Sequence, residues 1–440
     1  MVKSNKVNLL GRTLKQNRAT TVAAALLLLL TALTVWTLFS PRSDARLDTI
    51  RQNGFPITLS ELNAWYRAVP DGQNNALFYE KAFASLRSSG APEFFDKLTS
   101  RNAQGWVLGR VLSAQDKHRL AELLATNDVA LRLLHSAKGS NRCRYSVDMS
   151  RILSPHQTGD NDFKVLEGVE LLCAEALMHS ANGDSQQAIR SFLAAGLLAD
   201  SLADKPLVRS QLLRLACLSK IVTGLERALT LTQMTDEQFI SLQVMLAEAE
   251  RPQALLRALV GEQALGIAEF ADAVETVAPS QGNYPAGQTE RLEARFGVGL
   301  SKGTGFFRRD QAFYLDVMAT NIAAASLPFP ARVKVGQAIP SVVPCFCVVS
   351  RHVLLKISAI FSSEANVNAW LRIARTAIAV ERFRRGHRDA LPAGLEALAP
   401  SYSLSVPADP FNGDSLRFEI QGARYVIYSS GSGKSFRIER

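Results

Sequence analysis

An uncharged apolar stretch near the start of the chain limits its possible architecture more than any other feature. Residues 19–39, ATTVAAALLLLLTALTVWTLF, contain no charged side chain. A helix rises about 1.5 Å per residue, so the stretch spans roughly 31 Å, which matches a bilayer hydrocarbon core of about 30 Å. The sequence therefore predicts a transmembrane helix over residues 19–39.

The charges beside this stretch predict its orientation. Residues 1–18 carry five basic side chains and no acidic one, whereas residues 40–48 mix arginines with aspartates. Basic flanks remain in the cytoplasm. We therefore expect residues 1–18 to form a cytoplasmic tail and residues 19–39 to act as a signal anchor. A single-pass protein of the inner membrane follows, with its bulk on the periplasmic, extracytoplasmic side.

A cleaved signal peptide is the competing interpretation, because basic residues lie directly before the apolar stretch. The stretch is longer than an ordinary signal-peptide core, and LFSPRSDA offers no small-x-small cleavage site at the right place. Pro41 also obstructs cleavage. The uncleaved anchor is favoured, and in either case residues from about 41 onward lie outside the cytoplasm.

The net charge bears on the partners of the exported portion. The formal net charge is +10, and the predicted tail contributes five of these positive charges. The remaining mildly basic surface favours anionic lipid headgroups or an acidic partner, with an ordinary solvated surface as the alternative. Nucleic acid is not expected as a partner on that side of the membrane.

The cysteines do not indicate a disulfide framework or a metal site. The chain has five of them, Cys143, Cys173, Cys217, Cys345 and Cys347. An odd, sparse set in so long a chain is not a disulfide framework, and Cys173 and Cys217 lie in apolar helical patterns typical of core residues. Cys345 and Cys347 have no second ligand pair at zinc-type spacing, and His352 alone does not supply one. No metal or other cofactor is predicted.

Residues 45–360 show the periodicity of amphipathic helices, with apolar residues at three- and four-residue intervals. The clearest segments are 76–86, 116–137, 163–181, 185–203, 208–229 and 236–250. Each helix has one apolar face, which packing against an antiparallel neighbour buries. The sequence therefore predicts a mainly α fold, with an irregular, hairpin-based α-helical extracytoplasmic domain over residues 45–360.

Helix ends within this domain are also recognisable. Gly183 fits the left-handed position after one helix, and Asp184 and Thr235 are N-cap residues, each followed three residues later by a glutamine. Residues 172–195 match the offsets of one tetratricopeptide unit, but no second copy follows. We therefore predict a local helical hairpin rather than a solenoid.

The pattern changes near residue 365. An apolar stripe runs through the next helix, and arginines occupy mostly the opposite face, at 372, 375, 382, 384 and 385. After a short helix at GLEALAP the period changes to two: Leu416, Phe418 and Ile420 alternate with charged residues, and residues 425–428 return as a second strand. The sequence predicts a small α+β module with a β-hairpin over residues 365–440.

The order of motifs in this module carries a resemblance. FRRGHRDALP, GLEAL, VPADPFNG and a hairpin ending in YVIYSSG follow one another over roughly residues 365–433. This order resembles the C-terminal region of the major pseudopilin of type II secretion systems, which implies a helix-plus-sheet module. The module looks still more like the tail of large membrane-anchored bacterial proteins with a helical middle.

The chain departs from the pseudopilins at two places. Residues 19–39 lack the processed glycine and the nearby glutamate of a prepilin-type N-terminus. Pseudopilins follow the last strand with an aspartate-rich, calcium-binding loop, whereas SGSGKSFRIER offers only Glu439. The resemblance therefore implies neither a pseudopilus subunit nor a calcium site.

The string GSGKS at residues 431–435 raises the question of a nucleotide site. A Walker A loop needs a glycine five positions before the glycine of GKS, and that position is Tyr428. It also needs a following helix whose N-terminus faces the phosphates, but only five residues follow Ser435. We predict a turn after the strand and no nucleotide.

Other ionisable residues have ordinary explanations, so no catalytic residue is predicted. Glu175 and His179 are one helical turn apart, which favours a surface hydrogen bond, and Glu167 with Glu170 is typical of a solvated acidic face. Three more histidines lie in polar surroundings with no evident partner: His135, His156 and His387. A Ser-His-Asp site assembled from distant residues stays open.

These observations favour a protein-interaction or scaffold component of an envelope assembly, of the secretion or pilus-like type. Two alternatives stay open: an envelope hydrolase with an unrecognised active site, and a sensor that binds a small ligand between helices. A deep pocket with converging ionisable side chains favours the hydrolase. An apolar cavity with few charges favours the sensor.

Overall fold

The computed structural model describes residues 44–87, 91–99, 111–137, 142–153, 162–272, 306–339, 343–344, 347–354, 357, 359–422 and 424–439, together with Leu27, Leu28 and Thr31. The predicted transmembrane helix therefore lies outside the described residues, apart from those last three, which are helical. Cys345 and His156 lie outside them as well. No helix within these ranges combines the length and the apolar character that a membrane crossing requires.

The described part of the chain is mainly α-helical and has a small three-stranded antiparallel sheet near its C-terminal end. Its helices are α1 (Asp44–Gln52), α2 (Leu59–Trp65), α3 (Ala76–Ser85), α4 (Ala91–Leu98), α5 (Ala114–Thr126), α6 (Asp128–His135), α7 (Asp162–Ala181), α8 (Ser185–Asp200), α9 (Val208–Leu231), α10 (Asp236–Glu248), α11 (Ala254–Ala271), α12 (Phe306–Ala325), α13 (Ala331–Ala338), α14 (Val348–Leu354) and α15 (Ile360–Gly386). Its strands are β1 (Arg417–Gln421), β2 (Arg424–Tyr428) and β3 (Ser435–Glu439).

The six predicted helical segments are helical, but the one over residues 116–137 forms two helices rather than one. Asn127 separates α5 from α6, with φ −108° and ψ 17°. Its Nδ2 donates to Leu123 O at 3.1 Å, and its Oδ1 accepts from Arg87 N at 2.9 Å. An amide side chain that bonds the backbone in this way competes with helix continuation. The apolar period alone does not show this break.

Contacts divide the chain into two compact units. Unit 1 comprises Met1–Asn53, Glu269–Asp316 and Val342–Leu355, and unit 2 comprises Gly54–Ala268, Val317–Ser341 and Lys356–Arg440. The boundary predicted near residue 365 lies within unit 2. The residues of the C-terminal module therefore belong to the same compact unit as most of the helices.

In unit 1, the carboxylate of Asp310 fixes the start of α14. It accepts hydrogen bonds from Val349 N at 2.9 Å and from Ser350 N at 3.1 Å. Burial raises the pKa of Asp310, and these hydrogen bonds oppose the rise. Arg46 and Asp316 form a bidentate ion pair in the same unit.

In unit 2, α7 and α8 form the local hairpin that the sequence predicts over residues 172–195. Gly183 adopts φ +80° between the two helices, the left-handed conformation that glycine accepts without strain. Asp184 caps α8 and Thr235 caps α10, each through a side-chain oxygen that accepts from the backbone N–H three residues on. Helix α9 packs against both members of the hairpin.

Helix α15 is largely buried in unit 2. Apart from Arg375, its residues 373–381 are all buried, and it packs against α9, α10 and β3. Its arginines are directed at α10 and the residues beside that helix, except Arg384, which is buried and pairs with Glu381 of α15 itself. Arg382 Nε lies 2.7 Å from Asp236 Oδ1, for example. The predicted apolar stripe and arginine face therefore both make contacts within the same unit.

The sheet has the strand order β1-β2-β3. The predicted hairpin is formed by β1 and β2, with Gln421 opposite Arg424 and Gly422 at φ +67° in the turn. The prediction of a hairpin alone was incomplete, because β3 pairs with β2 as a third strand. Phe436 and Ile438 of β3 are fully buried. Their period-two alternation is short and follows a glycine-rich loop, so the sequence pattern does not predict this third strand.

The string GSGKS lies largely in the loop between β2 and β3. The carboxylate of Asp409 holds this loop, since Oδ2 accepts from Gly431 N at 3.1 Å and from Ser429 Oγ at 2.7 Å. Lys434 Nζ lies 4.7 Å from the centre of the Trp370 ring, at cation–π distance. The following residues form a strand rather than the helix that a Walker A loop requires.

Candidate functional site

A cleft of about 970 Å³ opens in unit 2 between α8, α9, α10 and α15. Its apolar walls are formed by Leu193 and Leu197 of α8, Leu218 and Ile221 of α9, and Val244 and Met245 of α10. Leu218 and Ile221 are buried, whereas Val244 is 50% exposed. A concave site with mainly apolar walls and a few polar groups is typical of ligand pockets, which hold about 300–1,000 Å³.

A glycine shapes the wall between α8 and α10. A Cβ atom at Gly196 would lie 2.6 Å from Sδ of Met245. The absence of a side chain at Gly196 therefore lets Met245 lie directly against α8. Because methionine is unbranched and flexible, this part of the wall adapts more readily to a bound group than a branched side chain does.

Glu250, which follows α10, is shared by two arginines of α15. Arg372 Nη2 lies 2.7 Å from Glu250 Oε2, and Arg375 Nη1 lies 3.1 Å from Glu250 Oε1. Arg372 also donates to Ala408 O at 2.9 Å. One carboxylate therefore faces two guanidinium groups, which leaves one positive charge uncompensated in this cluster.

Asp200, at the end of α8, repeats this arrangement. It accepts from Arg214 Nη2 at 3.0 Å and from Arg251 Nε at 3.0 Å. The hydrogen bond to Asp200 raises the pKa of Arg251, whereas burial lowers the pKa of Arg214 against the attraction of the same carboxylate. Both guanidinium groups keep their charge, as arginines in proteins do. Asp200 therefore also faces two guanidinium groups, and Asp204 and Glu248 attract Arg251 in addition.

A buried ion pair lies beside the same cleft. Arg332 of α13 donates from Nη1 to Glu364 Oε1 at 2.9 Å, and both side chains are less than a tenth exposed. The Arg332 and Arg372 guanidinium carbons lie 5.1 and 5.7 Å from the centre of the Phe329 ring. Both distances are within the range of cation–π attraction, so Phe329 links two of the arginines that line the cleft.

Within the described ranges, the lining of the cleft does not contain a nucleophile paired with a base. The described residues that line it include no histidine and no cysteine. Ser241 is the hydroxyl-bearing residue of the lining, and its Oγ donates to Glu237 O at 2.9 Å, a backbone acceptor. A serine nucleophile needs instead a base within hydrogen-bond reach. The cleft therefore lacks the pair of groups that hydrolysis by a serine or cysteine nucleophile requires.

A second, shallower cavity of about 560 Å³ has His135 on its lining. His135 Nε2 lies 2.7 Å from Glu175 Oε2, and Ser191 Oγ donates to the same oxygen at 2.6 Å. The prediction that Glu175 bonds His179 and that His135 has no partner is therefore wrong. Burial acts to raise the pKa of Glu175, but the His135 and Ser191 hydrogen bonds outweigh it, so the pKa is lowered. In a hydrolytic triad the serine donates to the histidine, whereas here both bind the glutamate.

Two further predictions about surface side chains are corrected. Glu170 does not belong to a solvated acidic face with Glu167, because it is buried and lies 2.9 Å from Lys220 Nζ of α9. Burial raises the pKa of Glu170, and Lys220 opposes the rise. His387 has a partner as well, since its ring stacks on Phe383 with 3.9 Å between the ring centroids.

The described cysteines are core residues rather than reactive groups. Cys173 and Cys217 are fully buried, as predicted, and burial raises the pKa of both thiols. Burial also raises the pKa of Cys143 to about 12. Thiols with raised pKa values are poor nucleophiles and poor metal ligands. Across the described ranges, no three His, Cys, Asp or Glu side chains are grouped so that they could hold a metal ion.

The sheet provides a second surface of interest, the outer edge of β1. Four of its five side chains are exposed, and Phe418 is half-buried. Within the described part of the chain no strand pairs with this edge. Arg417 and Glu419 of β1 carry opposite charges, and Glu419 Oε1 accepts a hydrogen bond from the Tyr428 hydroxyl of β2 at 2.7 Å. Charged side chains on an edge strand limit indiscriminate pairing between sheet edges.

In comparisons with protein-family models, with curated proteins and with solved structures, nothing matches this chain.

Proposed function

We propose that this chain is a membrane-anchored, extracytoplasmic protein that acts as an interaction or scaffold component of an envelope assembly, of the secretion or pilus-like type. The open edge of β1 carries the proposal. Backbone N–H and C=O groups at a sheet edge bind an extended segment by adding it as a further strand. The charges of Arg417 and Glu419 favour a partner strand with an acidic side chain opposite Arg417 and a basic side chain opposite Glu419.

The contacts of the cleft favour binding over hydrolysis by a serine or cysteine nucleophile. The arginines that line the cleft are held by carboxylates and by backbone carbonyls. No pair of a serine or cysteine nucleophile and a base lies among the described residues of the lining. The resemblance of residues 365–433 to pseudopilins favours a partner from an envelope secretion system. Both observations agree with a role that depends on contacts.

The proposed contact is tested with a photo-crosslinking amino acid at Ile420, which is 47% exposed on β1. In cells that carry the membrane-bound chain, we expect a covalent adduct with a different envelope protein. Because opposite charges across a strand pair stabilise it and like charges do not, exchanging Arg417 and Glu419 is expected to remove most of this adduct. The control is the same amino acid at Leu404, which is 96% exposed in a loop.

Three outcomes contradict this contact. One is an adduct that survives the charge exchange unchanged. Another is an adduct whose partner is a second copy of this chain. The third is an equal yield of the same adduct from the Leu404 position.

The anchor and its orientation form a separate part of the proposal. Leu27 and Leu28 lie in the uncharged stretch, are helical and expose 66% and 70% of their surface. Contact with lipid removes such apolar surface from water. A C-terminal alkaline phosphatase fusion, which is active only outside the cytoplasm, is therefore expected to be active and to sediment with membranes. The control is a C-terminal fusion to a fluorescent protein that fluoresces only in the cytoplasm. Bright fluorescence from this fusion contradicts the proposed orientation.

A further inference from the structure

We propose that the cleft in unit 2 is a binding site for an anionic amphiphile, with an apolar chain against its walls and a carboxylate or phosphate head at Arg375 and Arg251. This inference goes beyond the proposed contact at β1, because it concerns a different surface and a different class of ligand.

The walls explain the apolar part of the ligand. Leu193, Leu197 and Met245 are only half-buried, and Val244 is 50% exposed. This apolar surface is concave and faces a volume of about 970 Å³. Removing apolar surface from water is favourable in proportion to its area. An acyl chain lying between α8 and α10 covers this surface without needing any hydrogen bond of its own.

The arginines explain the charged part. Arg375 donates through Nη1 to Glu250, and within the described residues its Nε and Nη2 have no acceptor. Arg251 donates through Nε and Nη2 to Asp200, and its Nη1 is likewise without an acceptor there. These side chains are 30% and 46% exposed and line the cleft. An anionic oxygen accepts from such N–H groups in charge-assisted hydrogen bonds.

The balance of charge also favours an anion. Glu250 and Asp200 are each shared by two guanidinium groups, so two positive charges are uncompensated, and the pair of Arg332 with Glu364 is neutral. Glu248 also lines the cleft, is exposed and offsets one of these charges. Asp204 attracts Arg251 too, but it lies outside the lining and pairs with Arg257. A positive excess remains. It attracts an anionic head and disfavours a cationic one.

Other ligand classes use only part of the site. A small inorganic anion leaves the partly exposed wall residues Leu193, Leu197, Val244 and Met245 uncovered. A neutral hydrocarbon leaves the remaining N–H groups of Arg375 and Arg251 without an acceptor. A divalent cation meets guanidinium groups where it needs oxygen ligands. A free fatty acid and an anionic bilayer lipid share the required chemistry, and the experiment below separates these two sources.

The experiment uses the full chain in nanodiscs of zwitterionic phosphatidylcholine and a photoreactive dodecanoate as the probe. We expect mass spectrometry to find the label on peptides from α8 and α10, and excess dodecanoate to prevent it. Dodecanol, the neutral analogue, is expected to compete about tenfold less well, because it cannot form a charge-assisted hydrogen bond with arginine. Arg375→Gln is expected to lower the labelling about tenfold for the same reason.

One control variant and a second test variant keep the test independent of folding defects. Arg385→Gln removes the same charge from α15 at a position outside the cleft and is expected to leave the labelling unchanged. Val244→Glu places a negative charge on an exposed wall position, which a folded chain tolerates, and is expected to lower the labelling. Equal competition by dodecanol, or equal labelling of the wild type, Arg375→Gln and Val244→Glu, overturns the proposal.

The lipid composition of the nanodisc distinguishes a free fatty acid from an anionic bilayer lipid as the ligand. If replacing phosphatidylcholine by phosphatidylglycerol suppresses the labelling, an anionic bilayer lipid occupies the cleft. If it does not, a soluble acid is the ligand. A label found only outside α8 and α10 contradicts the proposed binding site and leaves the β1 contact unaffected. Loss of the Ile420 adduct alone contradicts the β1 contact and leaves the proposed binding site unaffected.

Discussion

Replacement of Arg332 by alanine is expected to lower the free energy of unfolding by about 3–5 kcal/mol, because it leaves a buried carboxylate without its counter-charge. The side chains of Arg332 and Glu364 are 6% and 8% exposed, and the pair is 2.9 Å apart. Arg332 also donates from Nε to Leu327 O at 2.8 Å. Within the described residues, Glu364 Oε2 already lacks a hydrogen-bond partner. Arg214 also attracts this carboxylate, but it donates to Asp200 and to Ala249 O, so it replaces the lost guanidinium only in part.

The same variant is expected to become more sensitive to pH. Burial raises the pKa of Glu364, and the attraction of Arg332 opposes the rise. Without Arg332 the pKa rises further, so the folded variant binds a proton that the unfolded chain releases. Stability then falls as the pH rises from the unfolded pKa through the folded one, so the loss is smaller at about pH 5 than at about pH 8. Urea unfolding followed by circular dichroism at both values measures it.

Lys334→Ala is the matched control, because Lys334 lies on the same helix and is exposed. It is expected to change the free energy of unfolding by no more than about 0.5 kcal/mol. A double variant that also replaces Glu364 by leucine is expected to recover part of the loss, since it removes the uncompensated charge. A loss for Arg332→Ala that equals the control, or that does not depend on pH, contradicts the interpretation.

The helices that could be predicted are those whose signals are local. The α7–α8 hairpin follows from apolar periodicity, a glycine at positive φ and an aspartate cap, all within a few residues of one another. The break at Asn127 could not be predicted in this way, because the Oδ1 of that residue bonds to Arg87 N, forty residues earlier in the chain. A third strand was missed for a similar reason: Phe436 and Ile438 are buried only when β2 is already in place.

The candidate site depends on contacts that are still more distant. The arginine face of α15 is recognisable from spacing, but its acceptors are not, since Arg372 and Glu250 are 122 residues apart. Glu175 illustrates the same limit, because the histidine one turn away on its own helix is a plausible partner by spacing. The structure instead pairs it with His135, which is 40 residues away and reaches it from α6. Spacing therefore identifies the polar residues and leaves their partners undetermined.

Replacement of Gly261 by alanine is expected to lower the free energy of unfolding by about 3 kcal/mol or more, at or beyond the usual range for overpacking. Gly261 lies in α11, and a Cβ atom there would be 1.8 Å from the carbonyl oxygen of Pro206 and 2.8 Å from its carbonyl carbon. These are backbone atoms, so no rotamer change relieves the clash, and α11 has to move away from the residues before α9. In the middle of an exposed helix the same change stabilises by about 1 kcal/mol through helix propensity.

Steric overlap with Pro206 lowers the free energy of unfolding, whereas helix propensity raises it. The sign of the change for Gly261→Ala, measured by urea unfolding, therefore shows which effect is larger. Gly72→Ala is one control, since no atom lies within 4 Å of a Cβ at that position, and it is expected to be nearly neutral. Gly196→Ala is the second, because its added Cβ meets only the flexible end of Met245, at 2.6 Å from Sδ. That side chain can move, so we expect a smaller loss than at Gly261. Stabilisation by Gly261→Ala means that helix propensity outweighs steric overlap, and it contradicts the close backbone approach on which the packing of α11 in unit 2 depends.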